Sequence, residues 1–238
     1  MATYDLLRVI AGGHLVNDLS AAFSWLADPA QWSGASGIPT RIAQHLEITA
    51  LAIVLAGMVA LPVGVVIGHT HRGAAFVGGL AGAARAIPTL GLLTLFGLAL
   101  GIGLRAPLLA LVVLAIPSLL AGAYAGIQAV DPSLTKAARA MGMRGWQILW
   151  RVEVPLGAPV IIGGIRAATL QVVATATLAA YVSDNGLGRY LFAGLKTHDY
   201  AQMVGGAFLV ILLALVLEVG LAIIHHAVAK RFHRTASG

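Results

Sequence analysis

Cysteine is absent from this sequence, so neither a disulfide framework nor a thiolate metal site can form, and no redox compartment can be inferred. Charge is scarce too. Asp, Glu, Lys and Arg make up 10% of the 238 residues, against roughly 25% in soluble globular chains, and aromatics reach only 6%. A water-facing surface cannot be assembled from that composition. What the chain has instead is 59% hydrophobic residues, gathered in unbroken stretches longer than the ~18 residues that mark a bilayer-spanning helix. The formal charge of +6 does not point to nucleic acid, because the cations fall between the apolar stretches rather than on a solvated face interleaved with aromatics. Near the N-terminus, Gly12-Gly13-His14 and Asn17-Asp18 interrupt what would be the apolar region of a signal peptide, so a cleaved leader is not expected.

Five apolar segments follow one another, at about residues 47–69, 76–104, 107–128, 155–182 and 201–229. Each is long enough to cross a ~30 Å hydrocarbon core at ~1.5 Å per residue. The second contains Pro88, which removes a backbone donor and is expected to kink or break its helix. An earlier stretch, residues 6–26, is apolar on one side but carries Arg8, His14, Asn17 and Asp18, and reads as an interfacial helix. The fold class expected is therefore all-α, a polytopic membrane bundle of about five transmembrane helices, or six if that stretch also crosses. Glycine, at 29 residues, recurs within the spans, as in Gly78-Gly79-Leu80-Ala81-Gly82 and Gly163-Gly164, where small residues let helices approach closely.

Orientation follows from the Lys and Arg of the short loops. Arg72 follows the first span, Lys136, Arg139, Arg144 and Arg151 lie between the third and fourth, and Lys230, Arg231 and Arg234 follow the last. On the other side, Arg105 stands alone in a short turn, while Arg189 and Lys196 are offset by Asp184 and Asp199. The basic side is expected to be cytoplasmic, with the C-terminus on it and, for five spans, the N-terminus outside. This divides the chain into an extracytoplasmic or interfacial segment, 1–40, a transmembrane domain, 41–230, and a cytoplasmic tail, 231–238.

One polar stretch stands apart, from Asp131 to Glu153. Asp131-Pro132-Ser133 supplies N-cap chemistry, Lys136 to Met141 forms helix readily, and Gly142 is a stop; a second short helix follows from Gly145 to Val152. Within it, Lys136-Ala137-Ala138 is followed after three residues by Gly142 and, nine residues later, by Val152-Glu153-Val154-Pro155. That spacing resembles the cytoplasmic signature of ABC importer permeases: Glu-Ala-Ala, three residues, Gly, nine residues, Ile-x-Leu-Pro. Lys136 stands where that family usually has Glu, and Val152 and Val154 replace Ile and Leu. The segments Ile87-Pro88-Thr89-Leu90-Gly91-Leu92-Leu93, Ala125 to Pro132, Ala174 to Leu178 and Gly186-Leu187-Gly188-Arg189-Tyr190 look like the permeases for glycine betaine, choline, carnitine or proline, over about residues 35–220.

The resemblance implies a MetI-like fold in the cell (inner) membrane, and alternating access driven by cytoplasmic ABC ATPase subunits that bind ATP and Mg. It further implies a second permease, identical or a paralogue, and an extracytoplasmic binding protein. Lys136, Ala137, Ala138, Gly142, Val152, Val154 and Pro155 would couple to the ATPase, with helix 132–141 docking in its groove. The loss of the acidic residue at position 136 removes any salt bridge that the family forms there.

Candidate pathway residues are Arg85, Pro88, Thr169, Gln171, Thr175 and Thr177. Arg85, three residues before Pro88, reads either as a gating charge within the membrane or as a cation near enough to the surface to snorkel. The threonines either face a pathway or bond back to their own helix. The loop Ser183 to Tyr190 lacks the Gly-Lys-Ser/Thr ending of a phosphate loop and is expected to form a turn and short helix near an outer gate. His69 with His71, and His225-His226, lack the spacing of metal ligands, so no metal is expected. No nucleophile elbow, paired carboxylate or nucleotide loop is present, which assigns catalysis and cofactors to a partner. Competing readings are a permease for another small solute such as an amino acid, a secondary transporter or channel, and an intramembrane enzyme. The channel reading leaves the Asp131 loop unexplained, and the enzyme reading needs clustered His, Asp or Ser.

Overall fold

The computed structural model describes residues 17–234. A helix over residues 17–27 (α1) leads through a 3-10 turn, Pro29–Trp32, to the long helix α2, Ile38–Thr70. It starts nine residues before the apolar run at 47. Pro39 pre-sets the first turn, and the polar residues that hid this turn from hydropathy are held by neighbours rather than by water.

The second apolar segment is two helices, α3 (Ala74–Ala86) and α4 (Thr89–Leu100), separated at Ile87-Pro88. Each is shorter than the ~20 residues a crossing needs, so neither crosses alone, and four other described helices are long and apolar enough to do so. Pro88 sits at ψ 111°, outside the helical region, and Gly101 at φ 82° ends α4. The third segment is α5, Arg105–Gln128. The fourth is α8, Val154–Ala176, but its last turn narrows to a 3-10 helix, Thr177–Tyr181, within the stretch expected to be α-helical to 182. Between α5 and α8 lie α6 (Pro132–Ala140) and α7 (Gly145–Ile148), and after α8 come α9 (Gly188–Thr197) and α10 (Tyr200–Arg234).

The core is a three-helix seam. Ala52, Ala56 and Ala60 of α2, Leu111, Ala115 and Leu119 of α5, and Ala168, Val172 and Ala176 of α8 form one buried cluster. The i, i+4 rhythm of small residues brings the backbones together. At the α5–α8 crossing, a Cβ on Gly164 would lie 2.6 Å from the Gly122 Cα, so both positions require glycine. Gly78, Gly79 and Gly82 behave otherwise: a Cβ there meets nothing within 4 Å, so these three glycines face away from the described chain, while Val77 and Leu80 of the same helix pack into the seam. α10 is also open along much of its length, with Leu215, Val216, Val219 and Ile223 all more than half exposed. Such a surface is stable only against lipid or another apolar subunit.

Candidate functional site

At one end of the bundle, Asp131 caps α6. Its carboxylate accepts the Ser133 N–H at 2.8 Å, and that hydrogen bond holds its carboxyl below the usual range. Pro132 occupies the first helical turn, where a missing N–H costs nothing. Only Ala138 of α6 is buried; Lys136, Ala137 and Arg139 face outward on the other side of the helix. Gly142, at φ 85°, closes it, with the Met143 N–H bonding back to the Ala138 carbonyl at 3.1 Å. In α7, the Gln147 Oε1 accepts the Arg144 N–H at 2.8 Å, and Trp146 and Trp150 pair edge to face, both more than half exposed.

The chain enters α8 through a π-helical turn, Leu149–Glu153. Pro155 has no N–H to give the Arg151 carbonyl, which favours the wider turn there. Within the turn Leu149 is buried against Val65, Ala123 and Ile127, with Val154 packed beside them. Glu153, 6% exposed, lies 2.5 Å through its Oε2 from the His69 Nδ1 at the end of α2. The Gln128 Nε2, at the end of α5, donates to the Gly68 carbonyl at 2.9 Å and to the His71 Nδ1 at 2.8 Å. His69 and His71, noted in the sequence only for lacking the spacing of metal ligands, thus join three helix ends. The structure brings Lys136, Ala137, Ala138 and Gly142 onto one short helix and its cap, and fixes Val152, Val154 and Pro155 at the base of α8.

At the opposite end, the turn 183–187 is fastened to α2. Arg41, 5% exposed, donates to the Asp184 backbone carbonyl, to the Gln44 Oε1 at 3.1 Å and to the Asp184 carboxylate at 3.5 Å. The Arg189 Nε holds the same carboxylate at 2.8 Å. The Gly186 N–H donates to the Gln44 Oε1 at 3.1 Å, and His45, 1% exposed, joins the Val173 carbonyl at 3.0 Å to the Leu187 N–H at 3.4 Å. One neutral imidazole, protonated on Nε2, satisfies both contacts. The Tyr190 hydroxyl donates to the Ser36 carbonyl at 2.6 Å; burial raises its pKa, offset in part by the Arg41 charge. A Cβ on Gly188 would lie 1.9 Å from the Thr177 carbonyl oxygen, which ties this turn to the 3-10 end of α8.

The candidate pathway residues separate. Thr169 and Thr175 bond back to the Ile165 and Gln171 carbonyls at 2.8 and 2.7 Å. The Gln171 Oε1 reaches across to α5, accepting from the Ser118 Oγ at 2.7 Å. The Thr177 Oγ1 is buried with no hydrogen-bond partner among the described residues, and Pro88 marks the break between α3 and α4. Arg85 lies in the last turn of α3, and its side chain lies outside the described residues. A charge pair that sequence reasoning missed joins α8 to α10: Arg166 holds Glu218 bidentately, with Nε to Oε2 at 2.9 Å. Its signal was present, because Arg166 is a lone charge inside an apolar run and Glu218 is another.

A family model described as "Binding-protein-dependent transport system inner membrane component" matches residues 39–234. The glycine betaine/carnitine/choline transport system permease protein OpuCB of Bacillus subtilis (strain 168) is 34% identical over 80% of this chain and 88% of its own. The carnitine transport permease protein OpuCB of Listeria monocytogenes is 35% identical over 81% of this chain and 88% of its own. In fold, a chain of the MetNI methionine ABC transporter in an inward-facing conformation superposes with a TM-score of 0.71 at 22% identity, covering 85% of this chain and 99% of that one.

Proposed function

The chain belongs to the family of binding-protein-dependent transport system inner membrane components, as a multi-pass permease subunit of an ABC importer, and on that premise we propose that its solute is a small quaternary ammonium compound such as glycine betaine, carnitine or choline. The relatives that carry those names align over four fifths of the chain, which supports this solute class over an amino acid.

The loop Asp131–Pro155 carries the mechanistic reading. α6 presents Lys136, Ala137 and Arg139 to a cytoplasmic ATPase, whose closure on ATP and Mg moves the helix. The movement passes to the bundle because the loop is bonded to it at Glu153–His69 and packed through Leu149 and Val154. Among the described features, this is the observation that best separates a driven permease from a channel, which needs no such lever. The loop end is then cytoplasmic and the turn 183–187 extracytoplasmic, near the gate where a binding protein delivers solute. Counting α3 and α4 as one broken crossing makes five, which supports the reading in which 1–40 is an extracytoplasmic or interfacial segment, 41–230 the transmembrane domain and 231–238 a cytoplasmic tail. Two permeases, two copies of this chain or this chain and a paralogue, enclose the path; Arg85, Pro88, Gln171 and Thr177 are its candidate lining residues. Tight solute selection rests mainly with the binding protein, and ATP hydrolysis with the ATPase.

Two measurements test this. Affinity-tagged chain expressed with its genomic neighbours is expected to bring down an ABC ATPase, and cells carrying the system are expected to accumulate radiolabelled glycine betaine under osmotic stress. Absence of any ATPase contradicts the coupling reading, and accumulation of amino acids instead contradicts the solute.

A further inference from the structure

A cavity of about 520 Å³ opens at the end of the bundle opposite the Asp131 loop, between α4, the 3-10 turn Thr177–Tyr181 and α9. That volume lies within the range of small-molecule sites. Its walls come from the C-terminal half of α4, from the narrowed 3-10 end of α8 and from α9. Irregular backbone at membrane depth is tolerated where it is buried in protein or lines a water-filled cavity.

The lining is chemically specific. Tyr181 and Phe192, eleven residues apart in sequence, meet with ring centroids 5.7 Å apart and planes tilted by 58°. Both line the cavity, and Tyr181 is 60% exposed. Three charged side chains share the wall: Asp184, Arg189 and Lys196. The Arg189 charge is committed to Asp184 at 2.8 Å, whereas Lys196 forms no ion pair among the described residues. The wall therefore carries one net positive charge, located at Lys196, beside a pair of aromatic rings.

We infer that this cavity is a low-affinity waystation for a zwitterionic solute, with its trimethylammonium group against Tyr181 and Phe192 and its carboxylate toward Lys196. The inference rests on the solute class proposed above and sharpens it. A quaternary ammonium is attracted to the ring face. A bare cation such as choline meets the same rings but also the Lys196 charge, with no carboxylate to offset it. Glycine betaine and carnitine are thus favoured over choline. The rings cover only one side of the ligand, so the site is weak, as a site that releases its solute onward must be, and it leaves tight selection to the binding protein.

The test is saturation-transfer NMR on the N-methyl protons of glycine betaine and choline, using the full-length permease in lipid nanodiscs without a binding protein. Glycine betaine is expected to bind with a dissociation constant on the order of millimolar, and choline about threefold more weakly. Tyr181→Leu is expected to weaken both ligands about threefold. Lys196→Gln is expected to abolish the preference for glycine betaine while leaving choline bound. Both side chains are exposed, so neither change threatens the fold. Absence of saturation for glycine betaine, equal binding of the two solutes by the unmodified chain, or an unchanged signal in Tyr181→Leu overturns the inference. ATPase recovery with the tagged chain is a separate readout, so failure of the coupling reading is distinguishable from failure of this site.

Discussion

At the scale of single residues, several of the chain's few charges tie segments distant in sequence together. Arg41 is the clearest case, a guanidinium 5% exposed that bonds both the backbone carbonyl and the carboxylate of Asp184, in a turn 143 positions away, and Gln44 on its own helix. Tyr190 closes the same cluster, and its titration gives a test. Its pKa is raised by burial, so the folded state holds the phenol proton to higher pH than the unfolded chain does. Stability from this group is full below the ordinary tyrosine value of about 10 and falls as pH rises through the folded value above it. Thermal unfolding in nanodiscs is expected to show a midpoint independent of this group from pH 7 to 9 and declining above pH 10. Tyr190→Phe, which removes the titration, is expected to lower the midpoint at pH 8 and flatten the decline.

At the scale of elements, legibility in the sequence followed the range of the interactions. α6 could be read because its determinants are local: a capping Asp131, Pro132 in the first turn, a run of helix formers and Gly142 at positive φ. The break at Pro88 was readable for the same reason. The first turns of α2 were not, since Arg41, Gln44 and His45 look solvated until the turn 183–187 is packed on them. Nor did the 3-10 end of α8, the meeting of Tyr181 with Phe192, or the Arg166–Glu218 pair follow from spacing, because each depends on which helices become neighbours.

The π-helical turn before α8 is where an element-scale prediction belongs. If Glu153–His69 transmits movement from α6 to α2, Glu153→Ala is expected to leave the ATPase bound and hydrolysing while solute uptake falls about tenfold, measured together in proteoliposomes. Equal loss of ATPase binding and uptake would instead make the pair a brace for the loop.

At the scale of the whole molecule, a tight seam of α2, α5 and α8 is flanked by surfaces that need company: the open glycine face of α3, the apolar length of α10 and the outward face of α6. That distribution fits a subunit rather than a machine complete in one chain. Coupling to an ATPase depends on α6, whose Ala137 is exposed and makes no contact the fold requires. The decisive measurement is ATP-dependent uptake of glycine betaine by proteoliposomes holding the chain, its ATPase and its binding protein, with Ala137→Asp compared against the unmodified chain. The variant is expected to insert and unfold normally but to lose both ATPase recovery and uptake; a variant that retains both would show that α6 does not couple the chain to an ATPase.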